Sequence, residues 1–184
     1  MIIRVQENVR LELIAQRHAK QLYQAVNNDR QHLAEFLPWV GSMKSVSDFT
    51  NYIKNCRLLY EQKKEVSFVI LLHDVVVGRI GLHHLNLDNK TAAIGYWLTK
   101  DAQGQGIVIN SCKKLIALGF TEIGLHRLEI KAATTNLRSQ AIPEKLSFKK
   151  EGVLREAELV NDKFLDLYLY SLLSHEWTKQ TTNH

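Results

Sequence analysis

The run Gln103-Gly104-Gln105-Gly106 is the stretch of this chain whose residue types and spacing most clearly suit chemistry. Two glycines one residue apart let backbone approach a ligand with no Cβ in the way. Beyond them Val108, Cys112, Leu115, Ile116 and Gly119 recur at helical spacing, so a helix is expected to open at about Gln105. The first amides of a helix lack internal partners and lie at the positive end of its dipole, which makes such a turn a seat for phosphate. A strand–glycine–helix unit also serves plain tight packing, and two familiar phosphate loops do not fit. There is no Gly-x-x-x-x-Gly-Lys-Ser/Thr, and Ile109 stands where the third glycine of Gly-x-Gly-x-x-Gly belongs. A second group with chemical potential is His83-His84. Strand neighbours face opposite ways, so at most one of them looks into a site, as a general base or as a structural ring. Cys56 and Cys112 show no Cys/His ligand spacing, so no metal and no disulfide framework are expected; both read as buried thiols.

The elements that position these groups follow from periodicity. Ile94 to Thr99 is apolar, aromatic and β-branched, a strand feeding straight into the glycine turn. Val66–Leu72, Val75–Leu82 and Thr91–Thr99 form an antiparallel meander joined by His73-Asp74 and by Leu87 to Lys90, with Gly78 and Gly81 marking bulges or close approach. Val9 to Leu13 alternates as the first strand, and a helix through Asn27 and a short one from Arg30 to Phe36 follow, stopped by Pro38. Ser45 caps a long amphipathic helix with Asp48 at the capping-box position. After the glycine turn come a helix to Thr121 and a strand His126–Ala133, a separation that implies a parallel crossover. A helix spans Asn136 to Leu146. Pro143 inside it removes the bond to the Ser139 carbonyl, predicting a kink or a frayed first turn. Val153–Val160 and Phe164–Leu173 make a closing hairpin around Asn161-Asp162. Residues 1–178 are expected to form a single domain and residues 179–184 a disordered tail.

The glycine run resembles the acyl-CoA signature of the Gcn5-related N-acetyltransferases (GNAT superfamily), Gln/Arg-x-x-Gly-x-Gly/Ala, of which Gln103, Gly104 and Gly106 fill the second half. The order of elements is similar too. So is Asn136 to Phe148, which follows Asn-x-x-Ser-x-x-x-x-x-x-x-Gly-Phe with Ser147 in the glycine's place. That serine ends a helix where left-handed backbone is favoured, at about 1 kcal/mol of strain. The segment Leu33 to Trp39 resembles one found in the ribosomal-protein N-terminal (serine/alanine) acetyltransferases, while also reading as a hydrophobic elbow. The resemblance implies an α/β (α+β) fold with a mixed, largely antiparallel sheet of about seven strands, the fourth and fifth splayed. It implies acetyl-CoA held by the backbone of Trp97, Leu98 and Thr99, by Gln103, Gly104, Gln105, Gly106 and Ile107, and by Asn136 and Ser139. It further implies an acceptor site at Phe36, Trp39, His83 and Tyr96, with carbonyl polarisation by an amide near Leu98. Ser139 then protonates the leaving thiolate. Glu158 aligns with the subfamily's base, and Glu156, two residues away on the same strand face, stands as its substitute.

A free α-amine has a pKa of about 7.7–8.0 against about 10.4 for lysine, a difference on the order of 3.4 kcal/mol. One glutamate acting through water suffices for the first and is thin for the second, which favours a protein N-terminus or a weakly basic small amine. A polyamine, an antibiotic or an amino acid is the rival acceptor, and a non-catalytic acyl-CoA-binding module the rival class. Composition is ordinary for a globular protein, 45% hydrophobic and 23% charged, with no apolar run near membrane-spanning length. The amino terminus lacks a signal peptide's apolar segment, so a cytoplasmic protein is expected. The net charge of +5 suits acidic partners such as cofactor phosphates or an acidic ribosomal protein. The charges are scattered, not striped, so no direct nucleic-acid partner is expected. Relatives often dimerise, and a homodimer is an expectation from the resemblance.

Overall fold

The computed structural model describes residues 1–181, with side chains as far as Trp177. Eight strands form one sheet: β1 (Ile2–Gln6), β2 (Val9–Leu13), β3 (Val66–Leu72), β4 (Val75–Asn86), β5 (Thr91–Leu98), β6 (Arg127–Ala133), β7 (Lys149–Val160) and β8 (Lys163–Leu173). Their order is β1-β2-β3-β4-β5-β6-β8-β7, and β5–β6 is the parallel pair in an otherwise antiparallel sheet. The helices are α1 (Ala19–Asn28), α2 (Arg30–Leu33), α3 (Val46–Glu61), α4 (Ile107–Ala117), α5 (Leu137–Lys145) and α6 (Ser174–Thr181).

The sheet has a core on each face. Leu11, Phe68, Ile80, Leu82 and Ile94 pack against Ile107, Cys112 and Leu115 of α4, while Val69, Leu71, Val76 and Trp97 pack against Leu22 and Val26 of α1 and Phe49 and Ile53 of α3. β3 is buried on both faces, which is why its sequence Val-Ser-Phe-Val-Ile-Leu-Leu hardly alternates. His73 and Asp74 (φ 48° and 66°) and Asn161 and Asp162 (φ 49° and 61°) make the two-residue turns of their hairpins with left-handed backbone, as their residue types predict. Counting from the first turn, Leu72 faces Val75 and Leu71 faces Val76, but Ile70 faces Gly78, so Val77 is an extra residue in β4. A side chain on the adjacent Gly78 would overlap the Trp97 carbonyl.

Several expectations need correction. β1, unforeseen, pairs with β2 and brings the sheet to eight strands instead of about seven. Its residues are half-exposed at the sheet edge; Ile3-Arg4-Val5-Gln6 does alternate, but over only four residues beside the exposed Ile2. α2 ends at Leu33, not Phe36, and α4 begins at Ile107, not Gln105, because Gly104 and Gly106 both hold positive φ. β7 starts at Lys149, earlier than Val153; its charged opening residues suit an edge strand. α6 runs through Thr181, so the expected tail is helical as far as that residue, and 182–184 lie outside the described residues.

Candidate active site

β5 and β6 pair only from Thr91↔Arg127 to Ala93↔Glu129 and then diverge, as the resemblance implied for the corresponding strands. Past Ala93, one edge of β5 is open. The Thr99 amide donates to the Val77 carbonyl at 2.8 Å, so by antiparallel alternation Trp97 and Gly95 also turn their backbone toward β4. Ile94, Tyr96 and Leu98 turn theirs into the gap. Of Trp97, Leu98 and Thr99, it is Leu98 that turns its backbone into the gap; its amide meets no acceptor among the described residues, while its carbonyl lies 3.5 Å from the Gln103 side-chain amide.

The open edge leads into the glycine turn. Gly104 (φ +79°) and Gly106 (φ +71°) adopt left-handed backbone, and Gly106 is the N-cap of α4. The first backbone donor of the new helix is the Asn110 amide, to the Gly106 carbonyl at 3.0 Å. Among the described residues, the amides from Gly104 to Ile109 meet no acceptor, and an added Cβ on Gly104 would face open space. That is the row of donors a diphosphate requires. Gln103 departs from expectation, because its amide already donates to the Lys100 carbonyl at 3.1 Å. Its side chain acts as a clasp, accepting from Arg138 Nη1 at 2.6 Å and donating to His32 Nε2 at 2.9 Å. The Gln105 side chain lies near the Asp101 carbonyl at 3.5 Å, and Ile107 is buried in the core.

α5 brings Ser139 to the same gap. Asn136 caps this helix through its side-chain oxygen, which accepts from the Ser139 amide at 3.1 Å. Pro143 has no amide to give the Ser139 carbonyl, and the Tyr96 hydroxyl takes its place, donating at 3.0 Å. The same hydroxyl lies 3.4 Å from Ser139 Oγ. Burial pushes the Tyr96 phenol well above its usual range, so it stays protonated as a donor. A missing backbone hydrogen bond in one helix thus fastens the serine to β5. Ser147 holds φ 60°, the left-handed backbone expected of the position where the family pattern has glycine.

On the opposite face of the sheet, α1, α3 and β3–β5 enclose a cavity of about 260 Å³ lined by Leu22, Trp39, Met43, Phe49 and Trp97 and by four titratable residues: Tyr52, Glu65, Arg79 and His83. Trp39 and Trp97 meet at 6.0 Å in a tilted pair. The structure thus brings Trp39 and His83 together as expected, but Phe36 and Tyr96 do not line this cavity; Tyr96 faces α5. His84 is exposed and sits in a β4 bulge with φ 52°. Glu65 was not foreseen as part of the site, and neither were Arg79 and Tyr52. The bulge at Val77 sets Ser67 opposite Gly81 and Val69 opposite Arg79, a register that carries on to Glu65 and His83 and aligns their side chains on one face. The Glu65 carboxylate accepts from Arg79 at 2.7 Å, from Ser67 and from His83 Nδ1 at 3.0 Å. Burial alone would raise its pKa, but the bond and charge of His83, with Ser67 and Arg79, bring it down to about 2.

Glu158 lies on β7 opposite Leu165, half-buried, and burial raises its pKa against the pull of Lys131. Glu156 does not share its face. The pairing jumps from Leu154↔Leu167 to Glu158↔Leu165, and Glu156 sits in the bulge at φ 49° with its amide on Asp166 at 2.7 Å. The period of two fails across that bulge.

Two diverging strands, a row of bare amides at a helix start and a hydroxyl facing the same gap define a transferase that draws on a phosphate-bearing acyl donor. The chain belongs to the acetyltransferase family of this build: residues 8–149 match the Acetyltransferase (GNAT) domain. It is 33% identical to the putative ribosomal N-acetyltransferase YdaF of Bacillus subtilis (strain 168), over 95% of this chain and 96% of that protein. To the ribosomal-protein-serine acetyltransferase of Escherichia coli (strain K12) it is 32% identical, over 92% and 94%. The solved structure of RimL, a ribosomal L7/L12 α-N-protein acetyltransferase in complex with coenzyme A, superposes with a TM-score of 0.90 at 26% identity, over 94% and 98%. The protein is an N-acetyltransferase with acetyl-CoA as cosubstrate.

Proposed function

We propose that this enzyme moves the acetyl group of acetyl-CoA onto the N-terminal α-amine of a ribosomal protein in the cytoplasm. The observation that carries the donor half is the run of unpartnered amides from Gly104 to Ile109 beside the open edge of β5. Arg138, held at the turn by Gln103, adds a cation near the phosphates, and the gap-facing backbone of Leu98 meets the pantetheine arm and thioester. Asn136 and Ser139 stand at the far side of the gap, where the serine hydroxyl supplies the proton that the departing thiolate needs. Glu158, on the acceptor side of the sheet with a raised pKa, is a carboxylate suited to receive a proton through water.

For the acceptor, full-length likeness to two relatives named for ribosomal proteins supports a protein N-terminus. The cavity supports it too. Its carboxylate, Glu65, is engaged by three donors of the protein itself, leaving a poor seat for the cationic tail of a polyamine. The net charge of +5 suits an acidic ribosomal partner.

The test is thiol release from acetyl-CoA over a panel of peptides with free N-termini and of small amines. Turnover confined to the small amines would overturn the ribosomal acceptor. Ser139→Ala is expected to cut turnover while coenzyme A binding, read by calorimetry, stays nearly unchanged; Glu158→Gln is expected to lower turnover in the same way.

A further inference from the structure

The cavity wall holds an acid–base pair that the roles of Ser139 and Glu158 leave out. His83 on β4 and Glu65 just before β3 are joined from Nδ1 to Oε2 at 3.0 Å, and both side chains are largely buried. An imidazole whose Nδ1–H is held by a carboxylate presents its Nε2 lone pair in a fixed direction, the arrangement by which histidine serves as a base. The one contact to that Nε2 among the described residues is Arg79 Nη1 at 3.4 Å, beyond the usual hydrogen-bond length. The ring lies against bare backbone: a Cβ on Gly95 would come within 3.1 Å of Cδ2 and 3.2 Å of Nε2. Gly95 is the second residue past Ala93, the last on β5 to pair with β6, so Nε2 stands at the mouth of the gap. β4 is the direct neighbour of β5, whereas the strand carrying Glu158 lies beyond both β6 and β8. At about 4.8 Å per strand, that carboxylate starts well behind the imidazole.

We propose that His83 is the base that takes the proton directly from the acceptor amine, with Glu65 as the residue that positions it and Glu158 serving only to pass that proton on through water; this rests on the acetyl-transfer reading. As the amine nitrogen bonds to the acetyl carbon and the carbon–sulfur bond breaks, the nitrogen's proton passes to His83 Nε2 and the Ser139 hydroxyl gives one to sulfur. Solvent returns the proton from His83 to the Ser139 oxygen, so none is gained or lost. Glu65 favours the imidazolium and Arg79, on the same strand, opposes it. Ser67 from β3 hydrogen-bonds Glu65, and Tyr52 and Cys56 from α3, both raised by burial, stay neutral. Gly95 and Trp97 of β5 carry no titrating group.

The experiment measures initial rates across the neutral range with acetyl-CoA and a peptide bearing a free N-terminal serine. In His83→Ala the turnover number should fall by about 10²–10⁴-fold, the KM for acetyl-CoA should hold, and added imidazole should restore part of the rate. The acidic limb of the profile should vanish in His83→Ala and in His83→Gln, which keeps a donor for Glu65. Glu65→Gln should move that limb to lower pH, since the carboxylate no longer favours the imidazolium. Turnover in both His83 variants equal to the parent's, or a limb that survives them and disappears only in Glu158→Gln, overturns the proposal. Calorimetry with coenzyme A separates the two levels: no binding by the parent sinks acetyl transfer itself, while normal binding with unchanged rates sinks only the base.

Discussion

Gly104 and Gly124 offer a matched pair of perturbations. Their φ values are +79° and +78°, and an added Cβ would meet nothing within 4 Å at either. Alanine at each should therefore carry the same strain, roughly 1–2 kcal/mol for an L-residue in left-handed backbone, and no clash. For a chain of this size each kcal/mol lowers Tm by about 2–4 °C, so the two variants should melt alike, a few degrees below the parent. They should part in cofactor binding. If the turn at Gly104 relaxes to relieve the strain, coenzyme A must restore it, and its Kd should rise about 5–30-fold. Gly124 lies past α4 and the wider turn Leu118–Glu122 that continues it, roughly 24 Å of helix away, and its alanine variant should bind coenzyme A like the parent. Thermal melts with titration calorimetry on the three proteins decide the matter. Equal losses of Tm with an unaltered Kd for Gly104→Ala would refute the claim that these amides hold the cofactor. So would equal weakening in Gly124→Ala.

Tyr96→Phe removes the donor on which the Ser139 carbonyl depends and should destabilise the fold by about 1–3 kcal/mol, but less in a Pro143→Ala background, where residue 143 regains an amide. A double-mutant cycle in urea with no coupling would contradict this. Ser147→Gly relieves a left-handed serine and should raise stability by up to about 1 kcal/mol, visible as a higher Tm. Glu12 is held at about 2, first by Arg17, and Glu65 at about 2 by His83, Ser67 and Arg79 against the opposing effect of burial. Both folded values lie below the unfolded value, so their contribution is complete above the ordinary pKa of 4.5 and is lost as pH falls toward 2. Melting temperature should drop across that window, and Glu65→Gln should flatten part of the drop; an unchanged slope would count against the pairings.

The glycine turn was legible because glycine is the residue that sits there without strain, and the hairpin turns His73-Asp74 and Asn161-Asp162 were legible for a related reason. The helix cap at Ser45 followed from short-range spacing, whereas Ser139 was singled out by the family resemblance. The cavity was only half legible. Counting back from the His73-Asp74 turn places Glu65 opposite Leu82, and one extra residue, Val77, shifts it opposite His83. Gly78 signalled a bulge or close approach in this strand but not which residue would be extra, so the Glu65–His83–Arg79 set was invisible even though every strand in it was recognised. The same blindness put Glu156 and Glu158 on one face, where a bulge in β7 separates them. β1 escaped although Ile3-Arg4-Val5-Gln6 alternates, because four residues at a half-exposed edge make too short a pattern to stand out. The link between Tyr96 and Ser139 joins two distant segments, and Pro143 hinted at a vacant carbonyl without saying what would fill it.

The Asn161 side chain, at the tip of the β7–β8 hairpin, donates to the Ala34 carbonyl at 2.9 Å, while two residues earlier His32 receives Gln103 from the turn that precedes α4. The short stretch between them is therefore anchored on both banks of the cleft, like a footbridge.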